Sequence, residues 1–112
     1  QLNFYKRRRR YIMIKKDDII KELKTVYDPE ISVNIYDLGL IYDISIDEKE
    51  GWVKIIHTLT SAFCPEADVI VQSINAAVTR VNGVVFCDIE TTFDPPFTMD
   101  MVSEEGKLMM GW

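Results

Sequence analysis

Cys64, followed at once by Pro65, offers the richest chemistry in this chain. A cysteine placed just before a proline and an amphipathic stretch reads as the N-cap of a helix. There the free backbone N–H groups and the helix dipole favour a negative charge. A thiol in that position loses its proton more readily than free cysteine, and the thiolate is the form that binds metal or attacks an electrophile. Thr58, Thr60 and Ser61 precede it and bring hydroxyls that could orient a ligand. A small residue buried at a tight strand-to-helix turn would be written the same way. His57, the single histidine, lies seven residues before Cys64 and permits a Cys–His dyad across the turn, or serves as a plain strand residue. Asp28, Glu30 and Asp37 cluster in one loop, where carboxylates could hold a hard cation or move protons. Ending a helix and capping turns is the alternative use for Asp28 and Asp37. Cys87 falls mid-strand beside Ile89 and reads as a core residue.

The elements that must position these groups follow from hydrophobic periodicity. Ile19, Ile20, Leu23 and Val26 predict a helix over 17–26, capped by Asp17 or Asp18 and stopped by Asp28-Pro29. Leu40, Tyr42, Ile44 and Ile46 alternate with polar partners and predict a half-buried strand over 40–47. Residues 48–51 make a turn, and a strand rich in β-branched residues runs over 52–60, so the two form a hairpin. Ala67, Ile70, Val71, Ile74, Ala77, Val78 and Val81 extend the helix that opens at Cys64, and Asn82-Gly83 ends it. Residues 84–93 predict a third strand, halted by Asp94-Pro95-Pro96, and a short helix is expected near 100–108. Strand, helix and strand in sequence imply a crossover that sets the second and third strands parallel. The expected fold is α+β: a small mixed sheet, hairpin plus parallel crossover strand, packed with helices in a single domain.

Composition bounds the function. At 112 residues, 47% hydrophobic and 28% charged, the chain suits one globular domain. No apolar run approaches the roughly 20 residues of a membrane-spanning helix, and no secretory signal is visible. Two cysteines make no disulfide framework, and no C-x-x-C pair is present. A reducing cytoplasm is the expected compartment. Residues 1–16 hold seven basic residues, five of them consecutive from Lys6 to Arg10, and no acid. We read 1–16 as a basic extension, disordered or upstream of the natural start, with Met13 a candidate initiator. The remaining residues 17–112 carry 18 acids against 6 basic residues, a net charge of −12 that disfavours nucleic acid as a partner of the core.

Several motifs, in order, resemble the metal–sulfur cluster assembly factor family, in its SufT-like single-domain form. They are Asp28-Pro29-Glu30-Ile31, Asp37-Leu38-Gly39-Leu40-Ile41-Tyr42, Thr58-Leu59-Thr60-Ser61 before Cys64-Pro65, and Asp94-Pro95-Pro96-Phe97-Thr98 with Met101, Ser103-Glu104-Glu105 and Gly111-Trp112. The resemblance covers 17–112 and implies an α+β fold and a role in maturing iron–sulfur proteins. It also implies a site where Asp28 and Glu30 meet Thr58, Thr60 and Cys64. Two features depart from the pattern: the basic head, and His57, where an apolar residue such as methionine is expected.

The first functional reading is therefore a non-catalytic auxiliary factor in iron–sulfur cluster assembly, with Cys64 transiently holding iron or a cluster and no cofactor firmly bound. Soft thiolate suits that cargo. One cysteine cannot complete a four-cysteine site, so a cluster would be bridged within a homodimer or shared with other assembly proteins and client apoproteins. The alternatives are a PaaD-like subunit of a multicomponent aromatic-ring oxygenase, a cysteine-nucleophile enzyme, and an interaction domain with a structural cysteine. The PaaD-like relatives carry further C-terminal cysteines that this chain lacks.

Overall fold

Ile44 and Ile46 alternate with Asp43, Ser45 and Asp47 because one side of their strand is covered and the other is open. The computed structural model describes residues 13–29, 31–61 and 67–111. Strand β1 (Ile41–Asp47) pairs antiparallel with β2 (Trp52–His57), from Ile41 opposite His57 to Asp47 opposite Trp52. A register shift between Ile41 and Asp43 forms a bulge at Tyr42. The Tyr42 hydroxyl donates to the Pro95 carbonyl at 2.7 Å, tying β1 to the chain beyond the sheet. Strand β3 (Phe86–Thr91) pairs parallel with β2, Trp52 beside Phe86 and His57 beside Thr91, so the sheet order is β1-β2-β3.

Two helices cover one face. Helix α1 (Lys16–Leu23) buries Ile19 and Leu23, and α2 (Ala67–Thr79) buries Ile70, Ile74, Ala77 and Val78, spacings of three and four on one side. They pack on each other, and α2 packs on β3. Val53, Ile55, His57 and Cys87 meet them from the sheet. The opposite face carries Asp43, Ser45, Asp47, Trp52, Lys54, Phe86, Asp88 and Glu90, all exposed. After β3 come a 3₁₀ turn (Met99–Met101) and helix α3 (Glu104–Met109). The single-domain α+β fold with a mixed sheet is as expected. No helix among the described residues is long and apolar enough to cross a membrane.

Several boundaries differ from expectation, each for a local reason. The N-cap of α1 is Lys15, in extended backbone with no side-chain cap, so Asp17 and Asp18 sit inside the first turn and act on the helix dipole instead of capping. The helix also stops at Leu23, before Asp28-Pro29. The Thr25 hydroxyl donates back to the Glu22 carbonyl at 2.6 Å, and Val26 turns away to accept from the Ile35 N–H at 2.8 Å. Strand β2 ends at His57 instead of residue 60, because the Thr58 N–H is taken by the Leu40 carbonyl at 2.8 Å. Strand β3 is confined to Phe86–Thr91 because the Val84 N–H still bonds back to Val81. The expected helix over 100–108 is split by Val102, extended and buried, after which Ser103 caps α3 by accepting from the Gly106 N–H at 3.0 Å.

Candidate functional site

Thr58 leaves the C-terminal end of β2 fully buried, and every polar atom on its backbone is in use. Its N–H donates to Leu40. Its carbonyl accepts from His57 Nδ1 at 3.2 Å. Its hydroxyl oxygen is buried without a hydrogen-bond partner among the described residues. Leaving such a group unpaired costs about 1–3 kcal/mol. Leu59 is buried, Thr60 half-buried and Ser61 exposed. Cys64 and Pro65, with the expected N-cap, lie outside the described residues.

His57 shares the strand end and is wholly enclosed. A carbonyl only accepts, so the bond to Thr58 places the imidazole proton on Nδ1. Nε2 then accepts from the Thr91 hydroxyl at 2.8 Å, its register partner on β3. With both nitrogens used, His57 braces the strand end and has no nitrogen left for a dyad. Burial pushes its pKa below 6.5, opposed in part by the bond to the Thr58 backbone. The histidine is thus neutral in the fold, while the unfolded chain takes up a proton below about pH 6.5. Its contribution is present above that pH and lost as pH falls. In chemical denaturation, the stability of wild type and His57→Met should run parallel near neutrality. Below about pH 6.5 the wild type should lose up to about 1.4 kcal/mol per pH unit more than the variant. Parallel curves down to about pH 5 would show that the ring is not held neutral.

Asp28 sits in the loop after α1, buried, with Oδ1 accepting from the Ile31 N–H at 3.0 Å and its backbone paired with Ser32 and Val33. Ser32 takes a positive φ of 65° to close this turn. Glu30 lies outside the described residues. The loop reaches the threonines through a relay of backbone bonds: Ile35 to Val26, Leu40 to Ile35, and Thr58 to Leu40. Asp28 and Thr58 are thereby carried on segments fixed to one another.

Asp37 is used differently. Its Oδ2 accepts from Asn34 Nδ2 at 2.7 Å and its Oδ1 from the Ser103 hydroxyl at 2.8 Å. The Ser103 N–H adds a bond to the Asp37 carbonyl at 2.7 Å. This carboxylate latches the C-terminal segment to the loop. Asn34 and Ser103 had not been singled out as partners; the Asn-x-x-Asp spacing is the local signal that could have found Asn34. Gly39 belongs to the same latch. It has φ +83°, and a Cβ there would land on the Met101 carbonyl. Gly106 makes a second close approach, where a Cβ would sit 2.9 Å from the Asp37 carbonyl oxygen.

Cys87 is buried and free, as expected of a core residue, and borders a cavity of about 430 Å³ between α2 and β3. Burial first, and the neighbouring Asp88 charge second, push its thiol up to about 11, so it stays protonated. No three His, Cys, Asp or Glu side chains gather as a metal site among the described residues. The unpartnered Thr58 hydroxyl is a buried group at the strand end with a hydrogen to give to a sulfur or oxygen acceptor.

Known proteins resemble this chain in sequence and in fold. A sequence model described as iron–sulfur cluster assembly protein matches residues 16–89. An Fe-S protein maturation auxiliary factor of Porphyromonas gingivalis is 45% identical over 97 residues, 87% of this chain and 91% of that protein. The factor YitW of Bacillus subtilis, of the same description, is 38% identical over 86% of this chain and 93% of its own. A solved domain of unknown function from Bacillus anthracis superposes with a TM-score of 0.80 at 32% identity, covering 86% of this chain and 91% of that one. The match spans the α1 loop, the hairpin, the Thr58 strand end and most of β3, and on that ground the chain belongs to the iron–sulfur cluster assembly protein family.

Proposed function

We propose that this chain is an auxiliary factor in the maturation of iron–sulfur proteins, acting through Cys64, six residues beyond Thr58 in the chain. The observation that carries the site is the buried, unpartnered Thr58 hydroxyl at the end of β2. Maturation factors among the relatives support the role. Cys87 is held as an interior thiol, which leaves Cys64 for exchange. The cargo is iron or a cluster, taken up transiently. A single soft thiolate holds it weakly enough to hand on, which suits a transfer step. The Thr58 hydroxyl donates to the cargo's sulfur or to the thiolate, and the family resemblance assigns Thr60, Asp28 and Glu30 to the same site. Other assembly proteins supply the cargo and client apoproteins receive it. A cytoplasmic setting keeps the thiol reduced. The chain performs no turnover of its own.

Anaerobic loading with ferrous iron and sulfide, followed by transfer to an apo client, tests this. Wild type should show a charge-transfer band and activate the client, and Cys64→Ser should lose both. Thr58→Val should melt at or above the wild-type temperature, since it removes a hydroxyl that costs about 1 kcal/mol or more. Its transfer should nonetheless slow about tenfold, the loss of one hydrogen bond of about 1.4 kcal/mol. A folded Cys64→Ser that loads and transfers like wild type overturns the proposal.

A further inference from the structure

The uncovered face of the sheet is an acidic surface with an aromatic centre. Trp52 and Phe86, side by side on β2 and β3, are each about half exposed, at 54% and 50%, with ring centroids 5.6 Å apart. They border a cavity of about 240 Å³ with Ile46 and Val53, flanked by the carboxylates of Asp47 and Asp88. Asp43 and Glu90 lie on the same face. The cation among the described residues of this face, Lys54, is already paired with Glu90 at 3.2 Å. Aromatic rings beside carboxylates match a guanidinium, which stacks on the first and forks to the second.

This chain carries its own source of that group. Residues 6–10 are Lys-Arg-Arg-Arg-Arg. Ile14 is buried and its N–H donates to Glu48 Oε2 at 3.2 Å, while Met13 is 68% exposed. Glu48 follows Asp47, which stands opposite Trp52 across the hairpin. The N-terminal segment therefore joins the fold at the same end of the sheet as the aromatic pair. Arg10 is four residue steps from Ile14, a reach of up to about 14 Å, and Lys6 lies within about 27 Å. The face from Trp52 to Ile56 is only about 13 Å long. We propose that residues 6–10 dock on the open face of their own sheet, with an arginine against Trp52 and Phe86 between Asp47 and Asp88. Tethering holds the arm at an effective concentration in the millimolar range, so individually weak pairs act together. The docked arm covers the aromatic patch and competes with any other ligand of that face. This inference stands apart from the maturation role, since it uses none of the Thr58 or Cys64 chemistry.

Trp52 and Trp112 are the two tryptophans, so Trp112→Phe in the full chain leaves Trp52 as the sole emitter. Acrylamide quenching is compared in that background, alone, with residues 6–10 changed to serine, and with Asp47→Asn and Asp88→Asn. Thermal melts confirm that each variant is folded. The quenching constant should rise about twofold when either the arm or the face is neutralised. It should rise likewise for the unaltered arm at about 1 M salt, where the Debye length falls to about 3 Å. Equal quenching in all forms overturns the proposal. So does protection that vanishes on dilution, which would assign the arm to a second copy.

Discussion

Gly39→Ala is expected to remove about 4 kcal/mol of stability, a large share of the 5–15 kcal/mol typical of a small domain. Two costs combine. The residue holds φ +83°, which an L side chain adopts at about 1–2 kcal/mol. The new methyl would also overlap the Met101 carbonyl and stand 2.7 Å from the Met101 Cβ, and both belong to a segment tied down by neighbouring bonds. Relief requires moving that segment, a strain typically of 1–3 kcal/mol. Gly111→Ala isolates the first cost. That glycine has φ +82° with nothing within 4 Å of an added Cβ, so its loss should be about 1 kcal/mol. Urea midpoints of the two variants measure the difference, and equal losses would show that the Met101 contact is not what demands glycine.

Asp37→Ala should cost about 3–4 kcal/mol. It removes both carboxylate bonds and leaves the buried Asn34 amide and the Ser103 hydroxyl without their acceptor. Asp37→Asn should lose less, about 2 kcal/mol, because one oxygen remains to accept from Ser103 while the new amide meets the Asn34 amide donor to donor. A double-mutant cycle of Asp37→Ala with Ser103→Ala should return a coupling of about 1–2 kcal/mol. Additive losses would mean that the 2.8 Å bond contributes nothing of its own.

These two residues show where sequence reading succeeds and where it stops. The hairpin was legible because Ile44 and Ile46 alternate on a sheet with one covered face. Helix α2 was legible because Ile70, Ile74, Ala77 and Val78 keep one side, and the parallel strand followed from connectivity. Competition between segments was not legible. Val26 and Tyr27 continue the helical pattern of α1 yet are drawn off to pair with residues of the returning loop. At the site, Thr58 could be picked out from its neighbours in the chain, but its orphaned hydroxyl appears only once Leu40 and His57 have taken its backbone groups. From its sequence the Asp37 carboxylate is open to two uses, proton or cation chemistry and local capping of turns. The carboxylate is a latch, and the residue that reveals this lies 66 positions away.

That separation has a consequence for how the protein is made. At synthesis rates of roughly 5–20 residues per second, Ser103 is added some 3–13 s after Asp37. During that interval the Asp37 carboxylate has only local partners, and Gly39 has no Met101 to rest against. The loop that bears Asp28, and passes through Leu40 to Thr58, is therefore completed only after the segment holding Met101 and Ser103 has been made. A nascent or truncated chain ending before Ser103 would present the Thr58 strand end without its finished support.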